Sequence, residues 1–175
     1  MADLLAAKRE SLKSKRSLAT SQVRILLVDD FQPFRLYISS LLQKRNDIRI
    51  VGEAGDGIEA VERSGRLRPD LILLDVGLPK LNGIDAARQI RTASPESKII
   101  FLSQEASIEI IEEALGTGAK GYIVKSDVVT ELMSALNLVI RGGSFVGGGC
   151  GTLRPEKSKQ EEDSWGRQGN EILHF

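Results

Sequence analysis

The chain has 175 residues, of which 41% are hydrophobic and 27% are charged, and its 24 basic and 24 acidic side chains give a formal charge of zero. This length suffices for one domain with a substantial core, but not comfortably for two. The balanced charge gives no electrostatic footprint for nucleic acid or membrane surfaces, and no apolar stretch approaches the roughly 20 residues that cross a bilayer.

Cysteine and histidine each occur only once, and their scarcity excludes several kinds of site. The single cysteine, Cys150, excludes an internal disulfide and fits a reducing compartment, so we expect a cytoplasmic protein. The single histidine, His174, excludes a histidine-based catalytic triad and a multi-histidine metal site. The N-terminal segment is basic but lacks the apolar region of a secretory signal, which agrees with this location.

The chain divides into three parts by composition. Residues 1–22 combine basic side chains with scattered leucines and predict a flexible or short helical extension. Residues 23–141 alternate strand and helix patterns without a break and predict one domain. Residues 142–175 begin with glycine runs and continue as polar sequence, so we expect a largely irregular tail.

Within the middle part the pattern predicts five strands and five helices. The strands are expected near residues 24–28, 48–54, 70–75, 98–103 and 120–124. The helices are expected near residues 33–44, 57–64, 84–93, 107–116 and 127–139. Because strands and helices alternate and crossovers are right-handed, this is an α/β fold with a doubly wound, five-stranded parallel sheet and helices on both faces. A common order for such sheets is the flavodoxin-like 2-1-3-4-5, which we adopt as the prediction.

Four of these apolar strands run directly into polar side chains. The first is followed by Asp29 and Asp30, the third ends in Asp75, the fourth ends in Ser103, and the fifth runs into Lys125. In a parallel sheet, strand ends of one polarity lie along one edge, where ligands bind. Three carboxylates, one hydroxyl and one ammonium are therefore expected to share one pocket.

The chemistry of such a pocket points to phosphoryl transfer. Three close carboxylates repel one another, and a divalent cation with oxygen ligands, such as Mg²⁺, relieves that repulsion. With one lysine and one Mg²⁺ the formal charges sum to zero, so the pocket can accept a dianionic phosphoryl group. An aspartate can itself be the nucleophile and form an acyl phosphate, and the Ser103 hydroxyl could then hydrogen-bond a phosphoryl oxygen.

The motifs taken together resemble the receiver domain of bacterial two-component response regulators. The resemblance covers residues 24–141 and agrees in order, spacing and placement at strand ends. The motifs that carry it are Asp29-Asp30, Asp75-Val76-Gly77-Leu78-Pro79 with Asn82-Gly83, Ser103, and Gly118-Ala119-Lys120-Gly121-Tyr122 leading to Lys125.

The resemblance implies a role for each matching residue. Asp75 would be the phosphoacceptor, forming a 4-aspartylphosphate. Magnesium would be bound by the carboxylates of Asp29, Asp30 and Asp75 and by the main-chain carbonyl of Gly77. Lys125 would pair with the phosphoryl oxygens, Ser103 would be the switch hydroxyl, and Tyr122 would be the aromatic side chain that moves inward after phosphorylation.

The resemblance also implies partners. A sensor histidine kinase or a phosphotransfer protein would supply the phosphoryl group, and the protein would be a signalling phosphoacceptor, with at most self-phosphorylation from small donors and autodephosphorylation. The stretch from Gly121 to Ser126 is most similar to the subfamily that usually carries a LuxR-type helix-turn-helix. Residues 142–175 show no such domain, so we do not expect direct DNA binding by this chain. The downstream effector is unidentified, and a homodimer is compatible with the sequence.

Other interpretations stay open at this stage. The protein could be a DNA-binding transcriptional regulator with a shortened output domain, or a Mg²⁺-dependent aspartyl phosphatase, although such phosphatases need a second acid where this chain has Gly77. Asp29-Asp30 alone could be a helix N-cap, and Tyr122 could be an ordinary core aromatic. Asn82-Gly83 is interpreted as a turn.

Overall fold

The computed structural model describes residues 22–148. The predicted N-terminal extension, apart from Gln22, lies outside the described residues, as does the tail from residue 149 onward, which includes Cys150 and His174.

Six strands and five helices follow one another in the described part of the chain. The strands are β1 Val23–Val28, β2 Ile48–Ala54, β3 Leu71–Asp75, β4 Lys98–Ser103, β5 Gly121–Val124 and β6 Phe145–Val146. The helices are α1 Gln32–Leu42, α2 Gly57–Leu67, α3 Gly83–Ala93, α4 Ile108–Gly116 and α5 Val128–Ile140, with a 3₁₀ turn, Lys125–Asp127, before α5. Every helix within residues 22–148 falls short of the length and apolar character that a bilayer span requires.

The strands form one parallel sheet in the order β2-β1-β3-β4-β5-β6. The predicted order of the first five strands is confirmed, and β6 is an addition within the segment that we expected to be irregular. The added strand pairs with β5 and is held by hydrogen bonds from Phe145 N to Lys120 O and from Gly147 N to Tyr122 O. A two-residue strand of this kind leaves no periodic pattern in the sequence.

Both faces of the sheet are covered, which explains why its central strands are largely apolar. Alternate residues of each central strand point to opposite faces of the sheet and so contribute to two separate cores. On β3, Ile72 and Leu74 belong to one core, and Leu71 and Leu73 belong to the other. The first core includes residues of α2, α3 and α4, and the second includes residues of α1 and α5. The predicted doubly wound arrangement is therefore confirmed.

Two glycines allow the loop after β3 to lie against its neighbours. A Cβ atom on Gly83 would lie 1.9 Å from the main-chain oxygen of Asp75, and a Cβ atom on Gly57 would lie 1.9 Å from that of Leu81. Both obstacles are backbone atoms, which cannot move aside as a flexible side chain can. The start of α3 is thereby packed directly against the end of β3, where Asp75 lies.

We expect Gly83→Ala to destabilise the fold by about 1–3 kcal/mol or more, because the added methyl group overpacks a contact between backbone segments. The matched control is Gly116→Ala, since a Cβ atom at this helical position would meet nothing within 4 Å. Urea unfolding of both variants measures the difference. Equal stability of the two variants would contradict the close approach described for Gly83.

Candidate functional site

The predicted site residues meet at the carboxyl edge of the sheet. Asp29 directly follows β1, Asp75 ends β3, Ser103 ends β4, and Lys125 directly follows β5. These four strands are consecutive neighbours in the parallel sheet, so their ends converge from residues that are far apart in the sequence.

Three carboxylates form an acidic cluster at this edge. Asp29, Asp30 and Asp75 each place a carboxylate oxygen within 4.8 Å of the others. Asp29 is 1% exposed and Asp75 is 5% exposed, whereas Asp30 is exposed to solvent. The cluster therefore has two members inside the protein and one facing outward.

Asp29 is oriented by the loop that follows it rather than by capping α1. Its Oδ1 atom accepts a hydrogen bond of 2.9 Å from the backbone N–H of Phe31. Phe31 occupies the N-cap position of α1, and no side-chain hydrogen bond caps this helix. The alternative that the acidic pair is a helix N-cap is therefore wrong, and Asp29 Oδ2 is directed toward Lys125.

The ammonium group of Lys125 lies between the two buried carboxylates. Its Nζ atom is 2.7 Å from Asp29 Oδ2 and 3.1 Å from Asp75 Oδ2. The same atom lies 4.7 Å from the centroid of the Phe34 ring, within range of a cation–π interaction. The ammonium group thus has a polar partner on each of two strand ends and an aromatic partner on α1.

The charges of the cluster are only partly balanced. Burial raises the pKa of the Asp75 carboxyl, and the nearby Asp29 carboxylate adds to this rise, although Lys125 and a hydrogen bond from the backbone of Gly77 act in the opposite direction. Burial acts to lower the pKa of the Lys125 amine, but its contacts with Asp29 and Asp75 outweigh burial and raise that pKa. Lys125 is therefore charged at neutral pH, and Asp75 carries an electrostatic strain that a further cation would relieve.

The donor set of the cluster fits Mg²⁺. All the side-chain donors are carboxylate oxygens, which this hard cation prefers, and the exposed Asp30 leaves a side open to the water that Mg²⁺ usually retains. Gly77, which we expect to supply a main-chain ligand, lies two residues beyond Asp75, and its backbone acts to lower the pKa of the Asp75 carboxyl. Ligation by the Gly77 carbonyl stays a prediction.

Ser103 and Tyr122 are joined through one residue of the loop after β4. The Ser103 hydroxyl oxygen accepts a 3.1 Å hydrogen bond from the backbone N–H of Glu105, and the Tyr122 hydroxyl donates a 2.9 Å hydrogen bond to the backbone carbonyl of Glu105. Both side chains are buried, and the Tyr122 ring packs against Phe101 with 6.2 Å between the ring centroids. Tyr122 is therefore inward in this structure, and its hydroxyl contacts the loop that Ser103 also contacts.

The loop between β3 and α3 is held partly by Asp56 and Lys80, which the sequence analysis did not select. Asp56 caps α2 by accepting a hydrogen bond from Glu59 N, and its second oxygen pairs with Lys80 Nζ at 2.5 Å. Lys80 has a positive φ of 63°, which is uncommon for a residue with a side chain. Asn82, interpreted as a turn residue, caps α3 by accepting from Asp85 N. In the sequence, the pairs Asp56-Gly57 and Asn82-Gly83 could have indicated these two helix caps.

Comparison with known proteins agrees with this geometry. Residues 25–137 match the family described as the response regulator receiver domain. The chain belongs to this family, whose members are signalling proteins of two-component systems.

Two curated regulatory proteins are similar to most of this chain. It is 32% identical over 126 residues to the transcriptional regulatory protein DegU of Brevibacillus brevis, covering 72% of this chain and 53% of that protein. It is 34% identical over 122 residues to the response regulator protein VraR of Staphylococcus aureus, covering 70% of this chain and 58% of that protein. The chain thus spans only a little over half the length of these relatives.

Solved structures show the same similarity. A LuxR-family two-component response regulator from Aurantimonas sp. superposes with a TM-score of 0.71 at 30% identity, covering 74% of this chain and 93% of that one. The response regulator domain of Thermotoga maritima CheB superposes with a TM-score of 0.64 at 31% identity, covering 69% of this chain and 97% of that one. The similarity therefore extends over nearly all of both solved chains.

We expect Asp75→Asn to stabilise the Mg²⁺-free protein at neutral pH. Since the pKa of Asp75 is raised above its ordinary value of 3.8, folding favours the protonated carboxyl, and ionisation costs stability as the pH rises from that value through the raised pKa. The advantage of asparagine should therefore grow from acid to neutral pH. Urea unfolding in the presence of a chelator, across a pH series, measures it.

The control for this prediction is Asp85→Asn, which should have the opposite sign. Hydrogen bonds from Asn82 and then from Arg88 hold the pKa of Asp85 below its ordinary value, so the ionised carboxylate favours the fold at neutral pH. If Asp75→Asn were less stable than the wild type at neutral pH, the cost assigned to an ionised carboxylate at the buried Asp75 position would be wrong.

Proposed function

We propose that this protein is the phosphoacceptor of a two-component phosphorelay and receives a phosphoryl group on Asp75. The observation that carries the proposal is the position of Lys125 Nζ between Asp29 and Asp75, beside a cluster of three carboxylates. This arrangement offers a nucleophile, a fixed ammonium group and a set of oxygen ligands for a divalent cation within one small pocket. Phosphoryl transfer needs mainly such positioning and charge stabilisation.

The transfer step can be assigned to atoms of this chain. A carboxylate oxygen of Asp75 forms a bond to the phosphorus of a phosphohistidine on the donor protein, and the P–N bond breaks with its electron pair going to the imidazole, which takes up a proton. With acetyl phosphate as the donor, acetate leaves instead. Bound at the carboxylates, Mg²⁺ would supply positive charge next to the phosphoryl oxygens. Lys125 then pairs with a phosphoryl oxygen while Asp29 keeps its ammonium group in place.

The response to phosphorylation is assigned to Ser103 and Tyr122. The Ser103 hydroxyl lies at the end of the strand next to Asp75 and can donate its proton to a phosphoryl oxygen, while its oxygen still accepts from Glu105 N. Because Tyr122 holds the carbonyl of the same residue, a shift of Ser103 would change the loop and the start of α4. Phosphorylation would thereby shift the population between two arrangements of a partner-binding surface.

The wider setting is part of the same proposal. Residues 23–141 form the receiver unit, the donor is a sensor histidine kinase or a phosphotransfer protein, and the site of action is the cytoplasm. DegU is named as a transcriptional regulatory protein, and this chain matches about half of it. We therefore propose that this chain receives the signal. The effector to which it passes the signal is unidentified.

We expect wild-type protein incubated with Mg²⁺ and acetyl phosphate to gain the mass of one phosphoryl group, and Asp75→Asn to gain none. Intact-mass spectrometry gives the result, and treatment with hydroxylamine should release the label because it is an acyl phosphate. The matched control is Asp127→Asn, which removes a carboxylate near Lys125 in the chain but outside the acidic cluster. Label on Asp75→Asn, or none on the wild type with any donor, would contradict the proposal.

We expect Ser103→Ala to accept a phosphoryl group but to lose the response of the loop after β4. The amide N–H of Glu105 now donates to the Ser103 hydroxyl, so its NMR shift reports on this contact. Phosphorylation of the wild type should move this resonance and those at the start of α4, and phosphorylation of Ser103→Ala should leave the start of α4 nearly unchanged. Equal changes in the two proteins would remove Ser103 from the switch.

A further inference from the structure

The peptide group that joins Asp29 to Asp30 is held by a side chain of α1. The Nη1 atom of Arg35 donates a 2.6 Å hydrogen bond to the main-chain carbonyl oxygen of Asp29. On the other side of Asp29, its own N–H donates to the carbonyl of Ala54 on β2. The backbone immediately before Asp30 is therefore fixed on both sides.

Arg35 is itself anchored to the neighbouring strand. Its Nε atom donates to Glu53 Oε2 at 2.8 Å, and the Arg35 side chain is only 16% exposed. Glu53 lies on β2 opposite Leu27 of β1, one residue before Ala54. One guanidinium group thus connects α1, the loop that carries the acidic pair, and the edge strand of the sheet.

This arrangement needs the shape of arginine and not only its charge. Arg35 uses two different nitrogens, Nε and Nη1, to reach two acceptors at once, whereas lysine presents a single ammonium point charge. The Arg35–Glu53 pair is also neutral as a whole, so it adds little net charge to the acidic cluster. Its effect on the cluster is therefore exerted through geometry.

Asp30 is the member of the cluster that depends most on its backbone. It is exposed, and among residues 22–148 no side chain or backbone group hydrogen-bonds its carboxylate. With no partner among these residues, the carboxylate reaches the cluster only if the preceding peptide group, which Arg35 holds, places its Cα–Cβ bond on that side. Loss of this hydrogen bond would let the peptide rotate and carry the Asp30 carboxylate away from the cluster.

We propose that Arg35, anchored by Glu53, is a positioning residue for the Mg²⁺ site. It holds the Asp29 carbonyl so that the Asp30 carboxylate faces Asp29 and Asp75. The inference rests on the proposed function in that it takes the acidic cluster to bind Mg²⁺, but it assigns a task to residues outside the cluster. Groups that orient metal ligands typically change metal affinity by about tenfold to a hundredfold when they are mutated.

The test is a calorimetric titration of the full chain with Mg²⁺, comparing the wild type with Arg35→Lys. The substitution keeps the positive charge but removes the second of the two donor nitrogens. We therefore expect the affinity for Mg²⁺ to fall by about tenfold. Arg63→Lys is the matched control, because Arg63 pairs with Glu59 on α2 and has no contact with the acidic cluster. It should bind Mg²⁺ as the wild type does.

A second variant covers the case in which Arg35→Lys does not fold. Glu53→Asp keeps the charge of the anchor and withdraws its carboxylate by one methylene group, so it should weaken Mg²⁺ binding in the same direction and to a smaller extent. Thermal unfolding without Mg²⁺ checks that each variant is folded before the titration. Wild-type Mg²⁺ affinity in folded Arg35→Lys, or in folded Glu53→Asp where the first variant does not fold, would overturn the inference.

The phosphorylation kinetics separate positioning from general damage. With acetyl phosphate, Arg35→Lys should need about tenfold more Mg²⁺ for half-maximal labelling and should reach the wild-type rate at saturating Mg²⁺. A lower rate that excess Mg²⁺ does not restore would overturn the inference. If the wild type bound Mg²⁺ in an Arg35-dependent way but never became labelled, the proposed function would fail and the positioning role would stand.

Discussion

The contact of the Lys125 ammonium group with two buried carboxylates is the interaction on which the rest of the site depends. Asp29 and Asp75 are almost fully removed from solvent, and without Lys125 two like charges would lie side by side in the interior. Breaking a buried pair in this way is usually strongly destabilising. Even with Lys125 present, three carboxylates face one ammonium group. Burial, with a smaller contribution from the Asp29 carboxylate, raises the pKa of Asp75, and a divalent cation bound at the three carboxylates would relieve this cost.

Hydrogen bonds connect the pocket to the exposed loop after β4. Strands β4 and β5 are paired side by side, with Ser103 opposite Val124 and Phe101 opposite Tyr122. The side chains of Ser103 and Tyr122 project from these two strands, and both hydrogen-bond the backbone of Glu105. The loop after β4 carries exposed side chains, and Ser107 at the N-cap of α4 makes no side-chain cap hydrogen bond. The loop is therefore held mainly at Glu105, whereas its other side chains are exposed to solvent.

The sequence predicts those features that leave a local pattern. Buried parallel strands appear as apolar runs, and the residue that ends each run marks the functional edge, so Asp75, Ser103 and Lys125 could be located together. Features that arise from contacts between distant segments could not. Gly83 is required by the carbonyl of Asp75, which lies against it only in the folded chain, and Arg35 and Glu53 are 18 residues apart and individually resemble ordinary surface charges. Strand β6 depends on its pairing with β5 and on the packing of Phe145 and Val146 against the two cores, which are contacts with distant segments.

Strand β6 also determines what kind of edge the sheet offers to other molecules. Because β6 covers β5, the strand that carries Tyr122 is internal to the sheet. An uncovered strand is a template on which a neighbouring chain can continue the ladder, and natural proteins shorten or block such edges. A two-residue border presents few main-chain groups for this purpose. Phe145 and Val146 thus cover the first two residues of β5, Gly121 and Tyr122, so that a chain without them would leave this part of the strand as an unpaired edge.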